Sequence, residues 1–238
     1  MSERDILLVH GSCHGAWCWR DVMPALEARG HAVRAIDLPS HGADRTPVAE
    51  VTLDLYGQAI LAALDRPAMV VGHSMAGYPI SRAAEIDPSR IARLVYLCAY
   101  VPWPGLGLVE MRRRAPRQPI LKALEKSADG LSFSILPEHA REVFYHDCPD
   151  ESVEYALARV CPQPVRPQET PVTLGPRYAS VPRSYVVCEE DGAIPTEFQR
   201  TMAADFAPAD VHALPGSHSP FFARPAALAD LLHDIAEP

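Results

Sequence analysis

No stretch of this 238-residue chain reaches the ~18 consecutive apolar residues that a bilayer crossing needs. Its start, Met1-Ser2-Glu3-Arg4-Asp5, runs into a strand pattern with no signal-peptide core, so the expectation is a cytoplasmic protein with no membrane partner. A basic surplus is missing too: 22 Lys and Arg stand against 30 Asp and Glu, a formal charge of -8, which argues against nucleic acid. The one basic run, Arg112-Arg113-Arg114, reads as a solvated helix face. There is no Cys-x-x-Cys, no His/Cys cluster with zinc spacing and no Gly-rich loop spaced for a nucleotide phosphate, so neither metal nor cofactor is expected. The six cysteines form no recognisable disulfide framework in a chain of this length.

What is present is an alternation of short apolar runs with helical spacings. Ile6–Val9, Ala32–Ile36, Ala68–His73, Ile91–Tyr100, Tyr185–Cys188 and Val211–Leu214 read as about six strands of a doubly wound, mostly parallel sheet. Helices are expected after each, among them Val51–Leu64, Met75–Ile86, Pro195–Phe206 and Pro225–Ile235. The rhythm breaks between residues 101 and 182, which hold twelve of the 24 prolines and balance ten basic against ten acidic residues. Proline at that density excludes long helices and ladder bonding. Short helices are expected there at Leu121–Lys126, Glu138–Tyr145 and Ser152–Val160. The domain reading is an α/β core of residues 1–100 and 183–238 with a helical cap insertion, 101–182, over the carboxyl edge of the sheet.

The chain is organised around Gly72-His73-Ser74-Met75-Ala76-Gly77, where a Val-rich strand stops at small residues and turns into a helix. At such an elbow the serine hydroxyl is held clear of the sheet, and the helix start points N–H groups at whatever reacts there. A serine hydroxyl needs a base to take its proton and an acid to fix the base's tautomer. In the chain order Ser, acid, His, only His212, His218 and His233 remain as bases. His212 lies in a strand and His233 in the last helix, which leaves His218 in the loop Gly216-Ser217-His218. Asp191, in Glu189-Glu190-Asp191-Gly192 after a strand, is the acid, with Glu189 and Glu190 as nearby rivals. His73 points away from its neighbour Ser74 and reads as a packed residue; His10 and His14 read as structural. Backbone N–H groups of Met75 and Ser12 are the expected oxyanion hole.

These motifs, with His10-Gly11-Ser12-Cys13-His14-Gly15-Ala16-Trp17-Cys18-Trp19 and Ile194-Pro195-Thr196-Glu197-Phe198-Gln199, give the chain a family likeness. It resembles the α/β-hydrolase superfamily, and within it the plant methylesterase and hydroxynitrile lyase group with its bacterial esterase relatives. The resemblance implies the α/β-hydrolase fold, a catalytic Ser74, His218 and Asp191, and small carboxylic esters as substrates. The lyase branch carries Thr, Glu and Lys where this chain has Gly11, His73 and Ser219, so lyase activity is not expected. Gly11 and Trp103 are taken as substrate contacts. The rival readings are a non-catalytic small-molecule receptor on the same fold and a hydrolase of lactones, amides or carbon–carbon bonds. The natural substrate and the oligomeric state, a homodimer included, stay open.

Overall fold

The computed structural model describes residues 4–237. The chain enters the sheet with β1 (Asp5–Val9), passes a short 3₁₀ turn and α1 (Val22–Glu27), and returns as β2 (Ala32–Ile36). Then come α2 (Leu53–Ala62), β3 (Ala68–His73), α3 (Gly77–Ile86) and β4 (Ile91–Leu97). Thr52 starts α2 by accepting a hydrogen bond from the Leu55 N–H, a side-chain cap for one of the helix's orphan donors.

The segment 101–182 carries α4 (Leu108–Arg114), β5 (Leu124–Lys126), β6 (Ser132–Ile135), α5 (Pro137–Phe144), α6 (Asp150–Leu157), β7 (Gln163–Pro164), α7 (Arg166–Glu169) and α8 (Pro176–Ala179). The core resumes with β8 (Arg183–Cys188), α9 (Thr196–Met202), β9 (Val211–Leu214), α10 (Pro220–Ala223) and α11 (Pro225–Ala236).

The main sheet has the order β2-β1-β3-β4-β8-β9, every neighbouring pair parallel. Period-two side chains explain why its strands read as unbroken apolar runs. Leu7, Val70, Leu94 and Val187 point to the layer that holds α2 and α3, while Leu8, Val71, Val95 and Val186 point to the opposite one, with α1 and α11. Both faces are covered, so both need carbon.

Two expectations for 101–182 are corrected. The helix expected at Leu121–Lys126 is a 3₁₀ turn, Pro119–Ala123, followed by strand β5. With β6 and β7, β5 forms a small antiparallel sheet where none was expected. Pro164 is tolerated because β7 is an edge strand of that sheet. The basic run is only partly solvated: Arg113 and Arg114 are exposed, but Arg112 is half-buried and its Nε has no partner.

The segment is pinned to the core by buried polar contacts. Gln163 meets His41 Nε2 with its carbonyl oxygen (3.1 Å) and donates to Tyr56 Oη (3.2 Å), and Tyr145 Oη meets His14 Nε2 (2.7 Å). No helix among the described residues is long and apolar enough to cross a membrane.

Candidate active site

Three strand ends meet at one rim. Ser74 follows β3, Asp191 follows β8 and His218 follows β9, so neighbouring strands bring residues far apart in sequence within bonding distance. Ser74 has φ +56°, the left-handed region that a side chain adopts only when the surroundings enforce it. The enforcement is visible at Gly77: a Cβ there would lie 2.0 Å from the Tyr100 carbonyl oxygen, and the Tyr100 N–H donates to the Ser74 carbonyl (3.0 Å). Glycine is therefore needed at 77, and Ala76, one place earlier, fits in a fully buried slot.

His218 Nε2 lies 3.0 Å from Ser74 Oγ, and His218 Nδ1 lies 2.7 Å from Asp191 Oδ2. A carboxylate only accepts, so Nδ1 carries the proton and Nε2 is left to accept from the serine hydroxyl. Asp191 is held on all sides. Its Oδ1 accepts from the Ala193 and Ile194 N–H groups (2.7 and 2.8 Å), and its Oδ2 accepts also from Gln199 Nε2 (2.8 Å). Gln199 is fixed in turn, accepting from the Cys188 N–H and donating to the Ile194 carbonyl. The rivals Glu189 and Glu190 are exposed, and Glu189 pairs with Arg200. His212 sits on β9, and His233 on α11 bonds His31.

Residues 6–231 match the model of the alpha/beta hydrolase family. This chain belongs to that family. It is 34% identical over 253 residues to Methylesterase 7 of Arabidopsis thaliana, covering 99% of this chain and 97% of that protein. It is also 34% identical over 253 residues to the pyrethroid hydrolase of Sphingobium wenxiniae, covering 100% of this chain and 89% of that one. The crystal structure of a pyrethroid hydrolase superposes with a TM-score of 0.87 at 30% identity, covering 99% of this chain and 98% of the other.

In this hydrolase the cavity over Ser74 is about 20 Å³ and has a polar floor and an apolar ceiling. Ser12, His14, His73, Ser74 and His218 form the floor; Ile120, Leu124, Phe133, Ile135 and Phe144, all from 101–182, form the ceiling. His10 is structural as expected, accepting from the Leu38 N–H through Nε2. His14 does more: Nδ1 donates to the Ser12 carbonyl (2.7 Å) while Nε2 accepts from Tyr145, which ties the loop after β1 to α5. Cys13, next to it, has φ +63°, so this loop too is held in a strained turn. His73 is buried, and its Nε2 donates to the His218 carbonyl (2.8 Å).

Gln199 has no role that the sequence alone reveals, and His14, expected to be structural, also lines the cavity. A Gln one turn into the helix after the acid's loop was the available signal for the first. Trp103 is placed elsewhere: it packs edge-on against Phe198 and lines a separate concavity with Val172 and Tyr178. Gly11 lies behind the nucleophile, where a Cβ would stand 2.9 Å from Ser74 Cβ and 2.7 Å from His73 Nδ1. Its part is close packing, not a place on the cavity wall.

Burial lowers the pKa of His14 to about 4, with the bond to the Ser12 carbonyl opposing and His218 adding to the shift. Burial likewise holds His73 well below the usual value. Both stay neutral, so a proton taken up by His218 meets no competing cation in the floor. His73, Cys98 and His218 place ligand atoms within 4.8 Å of one another. Both His218 nitrogens are already engaged, and burial pushes the Cys98 thiol well up, so this trio is suited to packing and not to holding a metal.

Proposed function

We propose that this chain is a carboxylesterase-type serine hydrolase that cleaves small carboxylic esters through an acyl-enzyme on Ser74. The observation that carries the reading is the unbroken series Ser74 Oγ, His218 Nε2, His218 Nδ1, Asp191 Oδ2, at 3.0 and 2.7 Å. His218 removes the Ser74 proton as the oxygen attacks the ester carbonyl, and Asp191 stabilises the imidazolium and its tautomer. The tetrahedral oxyanion is held by the N–H groups of Met75, at the start of the elbow helix, and of Ser12, on the cavity wall. His218 then protonates the departing alcohol, and a water activated by the same imidazole hydrolyses the acyl-enzyme. The segment 101–182 acts as the cap whose apolar side chains close over the acyl group. The names of the relatives, a methylesterase and a pyrethroid hydrolase, support an ester as the substrate.

Ser74→Ala tests this. Turnover of p-nitrophenyl acetate is expected to fall by roughly 10⁴- to 10⁶-fold. A serine-directed phosphonate is expected to label the wild type and not the variant. An alanine variant that keeps wild-type turnover overturns the proposal, and a wild type that binds esters without cleaving them supports the receptor reading.

A further inference from the structure

The triple-arginine run stands out in a chain of net charge -8. Arg112 and Arg113 on α4, with Lys126 of β5, rim a second cavity of about 270 Å³. Its walls are apolar, from Val109, Leu121, Leu124, Phe133 and Val165. Among the described residues none of these three cations is in an ion pair. Glu169 is the one carboxylate on the lining, so the rim carries an excess of two positive charges. The Arg112 Nε is buried and unpaired, a donor that protein interiors seldom leave unmet.

This cavity adjoins the nucleophile. Leu124 and Phe133 line both spaces and form the partition between them. Gln168 spans the same wall, sitting on the cationic cavity and donating to Ser12 Oγ (2.8 Å). The space over Ser74, at about 20 Å³, holds little more than one water. The reacting carbonyl alone uses that space up, so a longer acyl arm has to pass Leu124 and Phe133. It then lies along carbon and ends among guanidinium groups, whose planar forks match a carboxylate.

We propose that this cavity is the acyl subsite and that the enzyme's preferred substrates are half-esters of dicarboxylic acids, with the free carboxylate held by Arg112, Arg113 and Lys126. The inference rests on the hydrolase reading of Ser74 and adds the substrate class to it. The alkyl chain of the acid meets the apolar walls. Ester cleavage releases the alcohol and leaves a dicarboxylate, whose second negative charge forms next to Ser74 and not next to the cations.

The test compares each half-ester with the neutral ester of equal chain length: monomethyl adipate with methyl hexanoate, and monomethyl suberate with methyl octanoate. At neutral pH the wild type is expected to favour one of the half-esters by about tenfold or more in kcat/KM, with the difference in KM. High salt is expected to shrink the preference. The double variant Arg113→Glu, Lys126→Glu changes two exposed side chains, so its folding is not at issue, and it is expected to abolish or reverse the preference. Arg112→Gln is expected to weaken it. A ratio that the charge-reversed variant leaves unaltered, while the wild type cleaves both esters and Ser74→Ala neither, overturns the subsite and spares the hydrolase reading.

If the wild type cleaves no ester, the hydrolase reading fails, and titration calorimetry of adipate and suberate into Ser74→Ala decides the subsite alone. One of the diacids is expected to bind, and to bind at least about tenfold more weakly once Arg113→Glu and Lys126→Glu are added. No binding, or binding that ignores the reversal, overturns the inference.

Discussion

The floor and the ceiling of the Ser74 cavity are built on opposite plans. The floor is polar and tightly bonded: Asp191 alone accepts four hydrogen bonds, and the backbone around Ser74 and Cys13 is held in left-handed conformations. The ceiling offers only carbon, from five side chains of the segment 101–182. Proton transfer tolerates errors of a few tenths of an ångström, so its atoms are anchored to strand ends of a rigid sheet. Exclusion of water and choice of acyl group need only shape, which a short antiparallel sheet and brief helices supply. Reaction type and substrate range therefore reside in separate parts of the molecule and can be disturbed separately.

The hardest blow to the floor is expected from Asp191→Asn. The Asn carbonyl can still accept from the Ala193 and Ile194 N–H groups, but its amide turns N–H towards His218 Nδ1. The imidazole proton is then driven to Nε2, where it faces the Ser74 hydroxyl and can no longer accept from it. Turnover of p-nitrophenyl acetate is expected to drop by about 10⁴-fold. A loss of only a few-fold, in protein shown by circular dichroism to be folded, would mean that the tautomer is set by something other than Asp191.

Much of the floor could be read from the sequence, and the reasons are local. Ser74 announces itself because an elbow needs small neighbours within five residues. His218 and Asp191 follow because parallel strands put their trailing loops on one rim, which favours a loop histidine over His212 in a strand and His233 in a helix. Gln199 stayed unassigned because its partners, Asp191 and the Cys188 N–H, lie across a loop whose path no periodicity reveals. The ceiling was less legible. Leu124-Glu125-Lys126 is three residues long, too short for either period to show, and becomes a strand only because Ile135 and Phe133 lie opposite. Trp103 is expected at the substrate, yet it is half-buried and packs edge-on against Phe198 of the core.

Buried imidazoles in and beside the floor also make stability depend on pH. His14, with its pKa lowered from 6.5 to about 4, binds its proton more readily in the unfolded chain than in the folded one. Stability therefore rises with pH: the contribution is complete above about 6.5 and is lost as pH falls towards and through about 4. For this one residue the loss is roughly 3 kcal/mol. His10 and His73 are shifted in the same direction by burial and steepen the fall. Urea midpoints measured across this interval check the sign, and His14→Gln is expected to flatten the slope whatever it does to the absolute stability. A midpoint that climbs on acidification would mean that these imidazoles are charged in the native state.

The smallest effect belongs to the ceiling. Phe133→Ala removes most of the partition between the cavity over Ser74 and the wider one beside it, and leaves every polar contact of the floor in place. Specificity is expected to move towards long acyl chains: the ratio of kcat/KM for methyl octanoate over methyl acetate rises by about tenfold, worth roughly 1.4 kcal/mol, and the change lies in KM. The direction follows from volume, since a chain that no longer has to displace an aromatic ring to reach the second cavity binds at lower cost. The division of KM from kcat is the sharper part of the measurement. If kcat falls by the same factor for both esters, the ring was helping to hold His218 or the loop after β1 in position. Floor and ceiling would then be one mechanical unit, joined through contacts such as that between Tyr145 and His14.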